Sequence, residues 1–275
     1  MKKRILSILL TLCMVLSFVP TSVFAEGIYK AADEHLRYAL DDSTYSVCQL
    51  IENIIISKPL EITREVTLDL NGYALTLDGG GSVFVIKAGG HLIITDSRTD
   101  AEHKFLPNRS GLWVWDERDG TKTVRGGIIT GGNTGGDDGG GVYIEPGGQL
   151  TMNGGSIVGC QARSQYNGMG GGVMVQCETN PDSGIISNGT FTMNGGAIDS
   201  CVAADGMGGG VLNEGLFIMG KGGTIKNCKA VRYDQYYLGS GVSLGGDRNI
   251  LNGTIISGDV ADTQHIFVNG PVTIG

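Results

Sequence analysis

The fold is decided by three copies of one glycine-rich motif: Gly139-Gly-Gly-Val142, Gly170-Gly-Gly-Val173 and Gly208-Gly-Gly-Val211. A second motif follows each copy, as Leu150-Thr-Met-Asn153, Phe191-Thr-Met-Asn194 and Phe217-Ile-Met-Gly220. A third motif closes each unit, as Ser156-Ile-Val-Gly-Cys160, Ala197-Ile-Asp-Ser-Cys201 and Thr224-Ile-Lys-Asn-Cys228. The chain is therefore built from internal repeats of short apolar strands and glycine turns.

The spacing of the repeats predicts the architecture. The isoleucine of the third motif recurs at steps of 28, 41, 27 and 30 residues, at Ile129, Ile157, Ile198, Ile225 and Ile255. Such a period without helical stretches is typical of solenoids, whose units bury their apolar faces only by stacking on one another. The sequence predicts an all-β fold, a right-handed parallel β-helix (solenoid) with a short N-terminal capping helix.

Composition favours one elongated domain over a collagen-like or disordered chain. Of 275 residues, 47 are glycine, more than twice the usual ~7 %, yet they follow no Gly-X-Y period. The apolar residues fall in alternating triplets, as in strands. The net charge is −8, or about −11 without the first four residues, so nucleic acid and anionic lipid are not expected partners.

The N-terminal residues differ in composition and apolar pattern from the repeats. Residues 1–25 join a basic start to an apolar run and small residues before Ala25, which predicts a secretory signal peptide. No other segment predicts a membrane span, so we expect a secreted, extracellular protein at the cell surface. Residues 26–46 predict a helical cap with one apolar face, formed by Ala32, Leu36, Ala39 and Leu40.

Residues 47–275 form the predicted β-helix, with two insertions at 97–125 and 176–187. The first insertion carries Trp113 and Trp115 in a polar setting. A long loop in a solenoid carries function or acts as a packing lid, and the sequence leaves both open. The last strands end without a terminal cap, so the solenoid is expected to continue beyond Gly275.

The cysteines of the third motif recur at one place in three repeats. Cys160, Cys201 and Cys228 should stack in a column with a strand spacing of roughly 4.8 Å between neighbours. Thiols in a straight file do not converge on a tetrahedral metal, so buried reduced thiols are expected, with one bridge inside the column as the alternative.

The residue between the two inward positions of the first motif is predicted to point outward. An exposed apolar file would suit ligand binding or lateral self-association, unless insertion loops cover it. The file consists of Phe84, Tyr143, Met174, Leu212, Ser243 and Phe267. Further candidate ligand contacts are the aromatic residues Trp113, Trp115, Tyr236 and Tyr237.

Charged and titratable residues form no recognisable catalytic pattern. Asp199 and Lys226 are predicted as a surface ion pair on adjacent repeats, and His91 and His103 have no acidic or nucleophilic partner in the pattern. The turn carboxylates Asp137, Asp138, Asp205, Asp234 and Asp262 are predicted to be solvated. No catalytic residue, metal ligand or cofactor is predicted, and Asn153, Asn194 and Asn252 are expected to stack.

The repeats resemble two groups of surface proteins. Gly-Gly-Gly-Val with Phe191-Thr-Met-Asn194 resembles the repeats of chlamydial polymorphic outer-membrane proteins. Thr67-Leu-Asp-Leu-Asn-Gly72 together with Phe191-Thr-Met-Asn-Gly-Gly196 is similar to β-helix surface proteins of Gram-positive gut bacteria. The resemblance covers residues 30–275 and implies a β-helix with an adhesin-like role. The 275 residues contain no sortase motif or surface-layer anchor motif, so the resemblance does not indicate how the protein is attached to a cell.

We therefore expect a non-catalytic adhesin-like protein that binds glycans or host and neighbour surface proteins. One alternative is a pectate-lyase-like polysaccharide lyase or glycoside hydrolase, which would need paired carboxylates or a base beside a bound cation. That alternative rests on fold analogy alone. Another alternative is a structural stalk that holds a further domain away from the cell wall.

Overall fold

A computed structural model describes residues 28–32, 35–109, 111–135, 139–163, 168–179, 181, 186–231, 239–245, 248–256, 266–268 and 272–274. Within these ranges the chain is nearly all β-structure, arranged in long parallel sheets, with one α-helix. This agrees with the predicted all-β parallel class. The predicted signal peptide lies outside the described residues.

The second motif builds the longest sheet, which we call sheet A. Its nine strands pair in chain order and in parallel. They are β1 (Ile28–Ala31), β2 (Val47–Leu50), β5 (Glu65–Asp69), β8 (His91–Thr95), β15 (Gln149–Met152), β21 (Thr190–Met193), β25 (Leu216–Met219), β29 (Arg248–Leu251) and β32 (Val272–Ile274).

The third motif builds a seven-stranded parallel sheet B and the first motif a seven-stranded parallel sheet C. Sheet B contains β3 (Ile54–Ile56), β6 (Ala74–Leu77), β12 (Ile128–Thr130), β16 (Ser156–Val158), β22 (Ala197–Asp199), β26 (Thr224–Lys226) and β30 (Thr254–Ile256). Sheet C contains β4 (Leu60–Ile62), β7 (Phe84–Ile86), β14 (Val142–Ile144), β18 (Val173–Val175), β24 (Val211–Asn213), β28 (Val242–Leu244) and β31 (Ile266–Val268). A shorter parallel sheet D follows sheet B in the chain, with β13 (Asn133–Thr134), β17 (Gln161–Arg163), β23 (Val202–Ala204) and β27 (Lys229–Val231).

Equivalent residues of successive repeats lie beside one another, as the period predicts. In sheet B, Ile129 pairs with Ile157, Ile157 with Ile198, and Ile198 with Ile225. Ile225 then pairs with Ile255. The Asn71-Gly72 pair does not form a hairpin, because β5 and β6 belong to different sheets. The Asn-Gly pair, a frequent hairpin turn, here connects strands of two different parallel sheets.

A left-handed residue follows strands β16, β22 and β26 of sheet B and turns the chain toward sheet D. Gly159, Ser200 and Asn227 occupy this place in three repeats, with φ of 64°, 57° and 54°. Glycine adopts this conformation without strain, and serine and asparagine tolerate it at some cost. The cysteine after each of these residues faces the interior, which explains the spacing of the third motif.

One continuous apolar cluster joins buried residues of sheets A, B and C. In sheet A, the rings of Phe191 and Phe217 stack with centroids 5.0 Å apart and planes 19° from parallel. Methionines two residues later, at Met152, Met193 and Met219, are fully buried in successive repeats. Repeats of this kind are stabilised mainly by burial of apolar side chains between neighbouring repeats, here on the inner sides of sheets A, B and C.

The N-terminal cap differs in part from the prediction. Residues 28–31 form strand β1 of sheet A, and helix α1 covers only His35–Asp41. Leu36, Ala39 and Leu40 are buried, as predicted. The guanidinium of Arg64 donates to the carbonyl oxygens of Ala39 and Asp42, at 3.1 and 2.7 Å, and so satisfies the end of the helix.

Both insertions contain antiparallel strands. The first forms a three-stranded sheet in the order β10-β9-β11, from β9 (Glu102–Pro107), β10 (Trp113–Trp115) and β11 (Lys122–Arg125). In the second, β19 (Cys177–Thr179) pairs with β20 (Ile186–Asn188).

Candidate functional site

The first insertion folds onto the outer side of sheet B. Phe105 and Val124 of the insertion pack with Ala74, Ile128 and Val158 of the sheet. Trp113 and Trp115 also pack against this cluster, and both remain partly exposed. The insertion is therefore a packing lid, which was one of the two roles that the sequence left open.

A buried ion pair ties the lid to the sheet. The ammonium of Lys122 on β11 donates to Asp199 Oδ1 and, at 2.6 Å, to Ser200 Oγ. Ser200 Oγ and Asn227 Nδ2 also donate to Asp199 Oδ1, at 2.8 and 3.0 Å. The predicted pairing of Asp199 with Lys226 on adjacent strands is confirmed, but its surface location is wrong for Asp199, which is 1 % exposed because these groups surround it. Lys226 Nζ lies 3.6 Å from Asp199 Oδ2.

The environment of Asp199 keeps its carboxylate ionised. Burial alone would raise its pKa, but hydrogen bonds from Lys122, Asn227 and Ser200 outweigh that effect and hold the pKa below the ordinary 3.8. A negative charge is thereby fixed under the lid, opposite the Lys122 ammonium. Removal of either partner would leave a buried charge poorly compensated.

A second set of hydrogen bonds fixes the orientation of Trp115. Its indole N–H donates to Glu117 Oε1 at 2.6 Å, and His103 Nδ1 lies 3.0 Å from the same oxygen. His103 Nε2 lies 3.0 Å from the carbonyl oxygen of Gly72, which belongs to the body of the protein. The expectation that His103 has no acidic partner is therefore wrong. The insertion supplies that partner, Glu117, fourteen residues further along the chain.

An open groove of about 380 Å³ runs along the β10 edge of the lid. The lid contributes an apolar wall, formed by Leu112, Trp113, Val114 and Trp115, and Ile55 of sheet B also lines the groove. Polar residues of the lining include Asp78, Asn133 and Gln161. We call it the aromatic groove. Its volume falls in the range of small-molecule sites, and its apolar wall with a few polar groups is the usual composition of such sites.

A larger groove of about 740 Å³ lies at the β11 edge of the lid and is lined by charged and polar residues, among them Asp96, Asn153, Asp199 and Lys226. Its carboxylates are already engaged. The two oxygens of Asp96 accept hydrogen bonds from the backbone amides of Gly72 and Gly127, at 2.7 and 2.8 Å. These contacts satisfy turn amides, so Asp96 has a structural role.

The predicted outward file is mostly buried. Phe84 is in the core, because it pairs with the inward Val142 and Val85 takes the outward place beside Tyr143. Met174, Leu212 and Ser243 point away from the core but are at most 3 % exposed. The prediction that these side chains are exposed is therefore wrong for four residues: Phe84, Met174, Leu212 and Ser243.

The glycine motif itself explains this burial. The first glycine of each motif has a positive φ and brings the preceding turn against the outer side of its own strand. A Cβ on Gly139 would lie 2.9 Å from Tyr143 Cα, and a Cβ on Gly170 2.9 Å from Met174 Cα. Tyr143 is partly exposed. The side chain of Phe267 lies outside the described residues, as do Tyr236 and Tyr237.

The outer side of sheet A carries a hydrogen-bond relay that the sequence patterns missed. His91 Nδ1 lies 3.0 Å from Glu65 Oε2, and His91 Nε2 lies 2.9 Å from Thr151 Oγ1. His91 was predicted to have no such partner, which is wrong. Glu65 and His91 share one register position on adjacent strands, so alignment of the second motifs of the first repeats would have found the pair.

The cysteine column and part of the asparagine stack are confirmed. Cys160, Cys201 and Cys228 are buried free thiols. Burial raises the pKa of the Cys201 and Cys228 thiols well above the usual value, and side-chain contacts with the preceding thiol of the column, Cys160 and Cys201 respectively, add to this. Asn194 Nδ2 donates to Asn153 Oδ1 at 2.9 Å. Within the described ranges, His, Cys, Asp and Glu side chains form no group of three that could hold a metal ion.

The chain was compared with protein families, curated proteins and solved structures. No family model, curated protein or solved structure matches the chain. Among the described residues, no helix has the length and apolar character that crossing a bilayer requires.

Proposed function

We propose that this chain is a secreted or cell-surface adhesin-like protein that winds as a right-handed parallel β-helix and binds glycans in the aromatic groove. Several observations support the winding. Each repeat adds one strand to sheets C, A and B in the same order, and every pairing within these sheets is parallel. Connections between parallel strands of one sheet are right-handed in nearly all proteins.

The observation that carries the proposed function is the aromatic groove itself. Pyranose rings have an apolar C–H face and an edge of hydroxyl groups. Trp113 and Trp115 offer large apolar surfaces, while Asn133 and Gln161 of the same lining offer amide donors and acceptors. The hydrogen bond from Trp115 to Glu117 keeps its ring in place before a ligand arrives, which lowers the entropic cost of binding.

We further propose that the groove binds glycans without cleaving them. Glycoside hydrolysis commonly requires two carboxyl groups on opposite sides of the scissile bond. The described lining of the aromatic groove contains one carboxylate, Asp78. The three carboxylates that line the larger groove are engaged instead, Asp96 by backbone amides, Asp199 by Lys122 and Glu102 by Arg125.

A glycan array followed by titration calorimetry tests the proposal. Trp113→Ala should weaken binding of any retained glycan about tenfold or more, because the stacked face of the sugar loses its apolar partner. Gln161→Leu should weaken binding of the same glycan, because the groove loses an amide that can donate to and accept from sugar hydroxyl groups. Tyr38→Ala is the matched control, since Tyr38 is an exposed aromatic residue on α1 and lies outside the groove.

Folding of each variant is checked by far-UV circular dichroism, because Trp113 also packs on sheet B. Equal affinity of wild type, Trp113→Ala and Gln161→Leu for an array hit would remove the groove as the binding site. Failure of the whole chain to retain any glycan would remove the proposed function.

A further inference from the structure

The charges around the aromatic groove discriminate among sugars. Among the described residues that line it, Asp78 is the only one that carries a formal charge. Asp78 is exposed and directly follows β6, so a ligand in the groove would displace part of the water around it. The net charge of the chain, −8, adds a long-range field of the same sign.

One cation lies against the aromatic wall, but its charge is committed elsewhere. Lys122 Nζ is 5.3 Å from the centroid of the Trp113 ring. The same ammonium donates to Asp199 and Ser200, and the Lys122 side chain is only 19 % exposed. Lys122 therefore stiffens Trp113 and neutralises Asp199, and it is not placed to receive a carboxylate from a ligand.

An acidic sugar would meet an uncompensated like charge in this groove. Its carboxylate would lie near the Asp78 carboxylate, and none of the described lining residues is a cation that could pair with it. Such juxtapositions of like charge are a common means of rejecting wrong ligands. An amino sugar would meet the opposite situation. Its ammonium group is attracted to the Asp78 carboxylate and to the face of an indole ring.

From this distribution of charge we infer that the aromatic groove selects sugars without a carboxylate and prefers amino sugars to neutral ones. The inference rests on the proposed glycan-binding function and narrows it to a substrate class. Asp78 is the specificity-determining residue, and Trp113 supplies affinity that all pyranoses share.

Three matched probes test the inference: β-linked tetramers of glucose, glucosamine and glucuronic acid, which share a backbone and differ in one substituent. Titration of the full chain in slightly acidic buffer should rank glucosamine above glucose by about two- to fivefold, the usual gain from one exposed charge pair. The glucuronic acid tetramer should bind at least about tenfold more weakly than the glucose tetramer.

Variants at Asp78 separate charge from shape. Asp78→Asn should abolish the preference for glucosamine while it leaves the affinity for glucose within about twofold. Asp78→Lys should reverse the ranking, so that the glucuronic acid tetramer binds best. Asp119→Asn is the control, because Asp119 is an exposed carboxylate of the lid outside the groove, and it should leave the ranking unchanged.

The outcomes distinguish this inference from the proposed function. Binding of the glucuronic acid tetramer as tight as that of glucose, lost in Trp113→Ala, would overturn the charge argument and leave glycan binding in the groove intact. An unchanged ranking in Asp78→Lys would also overturn it. If none of the three tetramers binds and the array is empty, both the inference and the proposed function are wrong.

Discussion

Replacement of Lys122 by methionine removes the cation from the buried pair between the lid and sheet B. Loss of one partner of a buried ion pair usually costs about 3–5 kcal/mol. Three features of the structure lower this figure for Asp199. Lys122 is 19 % exposed, Ser200 and Asn227 still donate to the carboxylate, and Lys226 lies 3.6 Å away. We expect the free energy of unfolding to fall by about 2–3 kcal/mol.

The reverse change, Asp199→Asn, should cost less than Lys122→Met. The Lys122 ammonium is partly exposed and gains access to water once its partner is neutral, whereas Asp199 has no such route. The double variant should be less destabilised than the sum of the two single variants, with a coupling of about 1–3 kcal/mol. Lys104→Met on β9 is the matched control, because Lys104 belongs to the same small sheet and is exposed.

Urea denaturation with two probes locates the effect. Both tryptophans of the chain, Trp113 and Trp115, belong to the lid, so their fluorescence reports the lid, while far-UV circular dichroism reports the parallel sheets. Lys122→Met should lower the fluorescence midpoint at least as much as the dichroism midpoint. A change of less than about 0.5 kcal/mol, equal to that of Lys104→Met, would refute the buried-pair reasoning.

Three further predictions concern the repeats and the buried groups. Gly170→Ala should lower the free energy of unfolding by about 1–2 kcal/mol or more in chemical denaturation, because φ is +68° and the new Cβ would lie 2.5 Å from Val173 O. Gly80→Ala is the control and should be neutral, because open space surrounds that position. The pKa of Asp199 is lower in the folded protein, so its contribution to stability is present above the unfolded pKa of about 3.8 and is lost as pH falls through the folded pKa. Acid titration of Asp199→Asn should lack this loss of stability. Identical acid denaturation profiles of wild type and Asp199→Asn would contradict the prediction. Iodoacetamide should modify the exposed Cys177 in the native protein, and peptide mapping should find label on the buried thiols only after denaturation. Those thiols are Cys48, Cys160, Cys201 and Cys228, and burial raises the pKa of Cys48 to about 11.

The order and register of the parallel strands were predictable because the same short motif recurs in each repeat. Each third motif places Ile, a residue able to adopt positive φ, and Cys at fixed offsets, and stacking preserves those offsets between neighbours. The helix of the cap was predictable in type from Leu36, Ala39 and Leu40. Its start was not, because Ile28–Ala31 pairs with β2, and pairing across nineteen residues outweighs local preference.

The candidate site was predictable only in part. Trp113 and Trp115 stood out as aromatic residues in a polar insertion, and they do line a groove. The prediction that the outward residues of sheet C are exposed was wrong, because alternation along a strand indicates the direction of a side chain but not its solvent accessibility. Glycine turns packed against sheet C bury Met174 and Leu212 although both point outward.

By itself the sequence determined the repeat, the parallel class of the sheets and the residues that stack between neighbours, because each depends on contacts at a constant separation along the chain. Only the tertiary structure decided where the irregular insertion lies. Contacts of Lys122 with Asp199 and of His103 with Gly72 join residues 77 and 31 positions apart, and no period relates them. The aromatic groove exists because these contacts hold the lid against the outer side of sheet B.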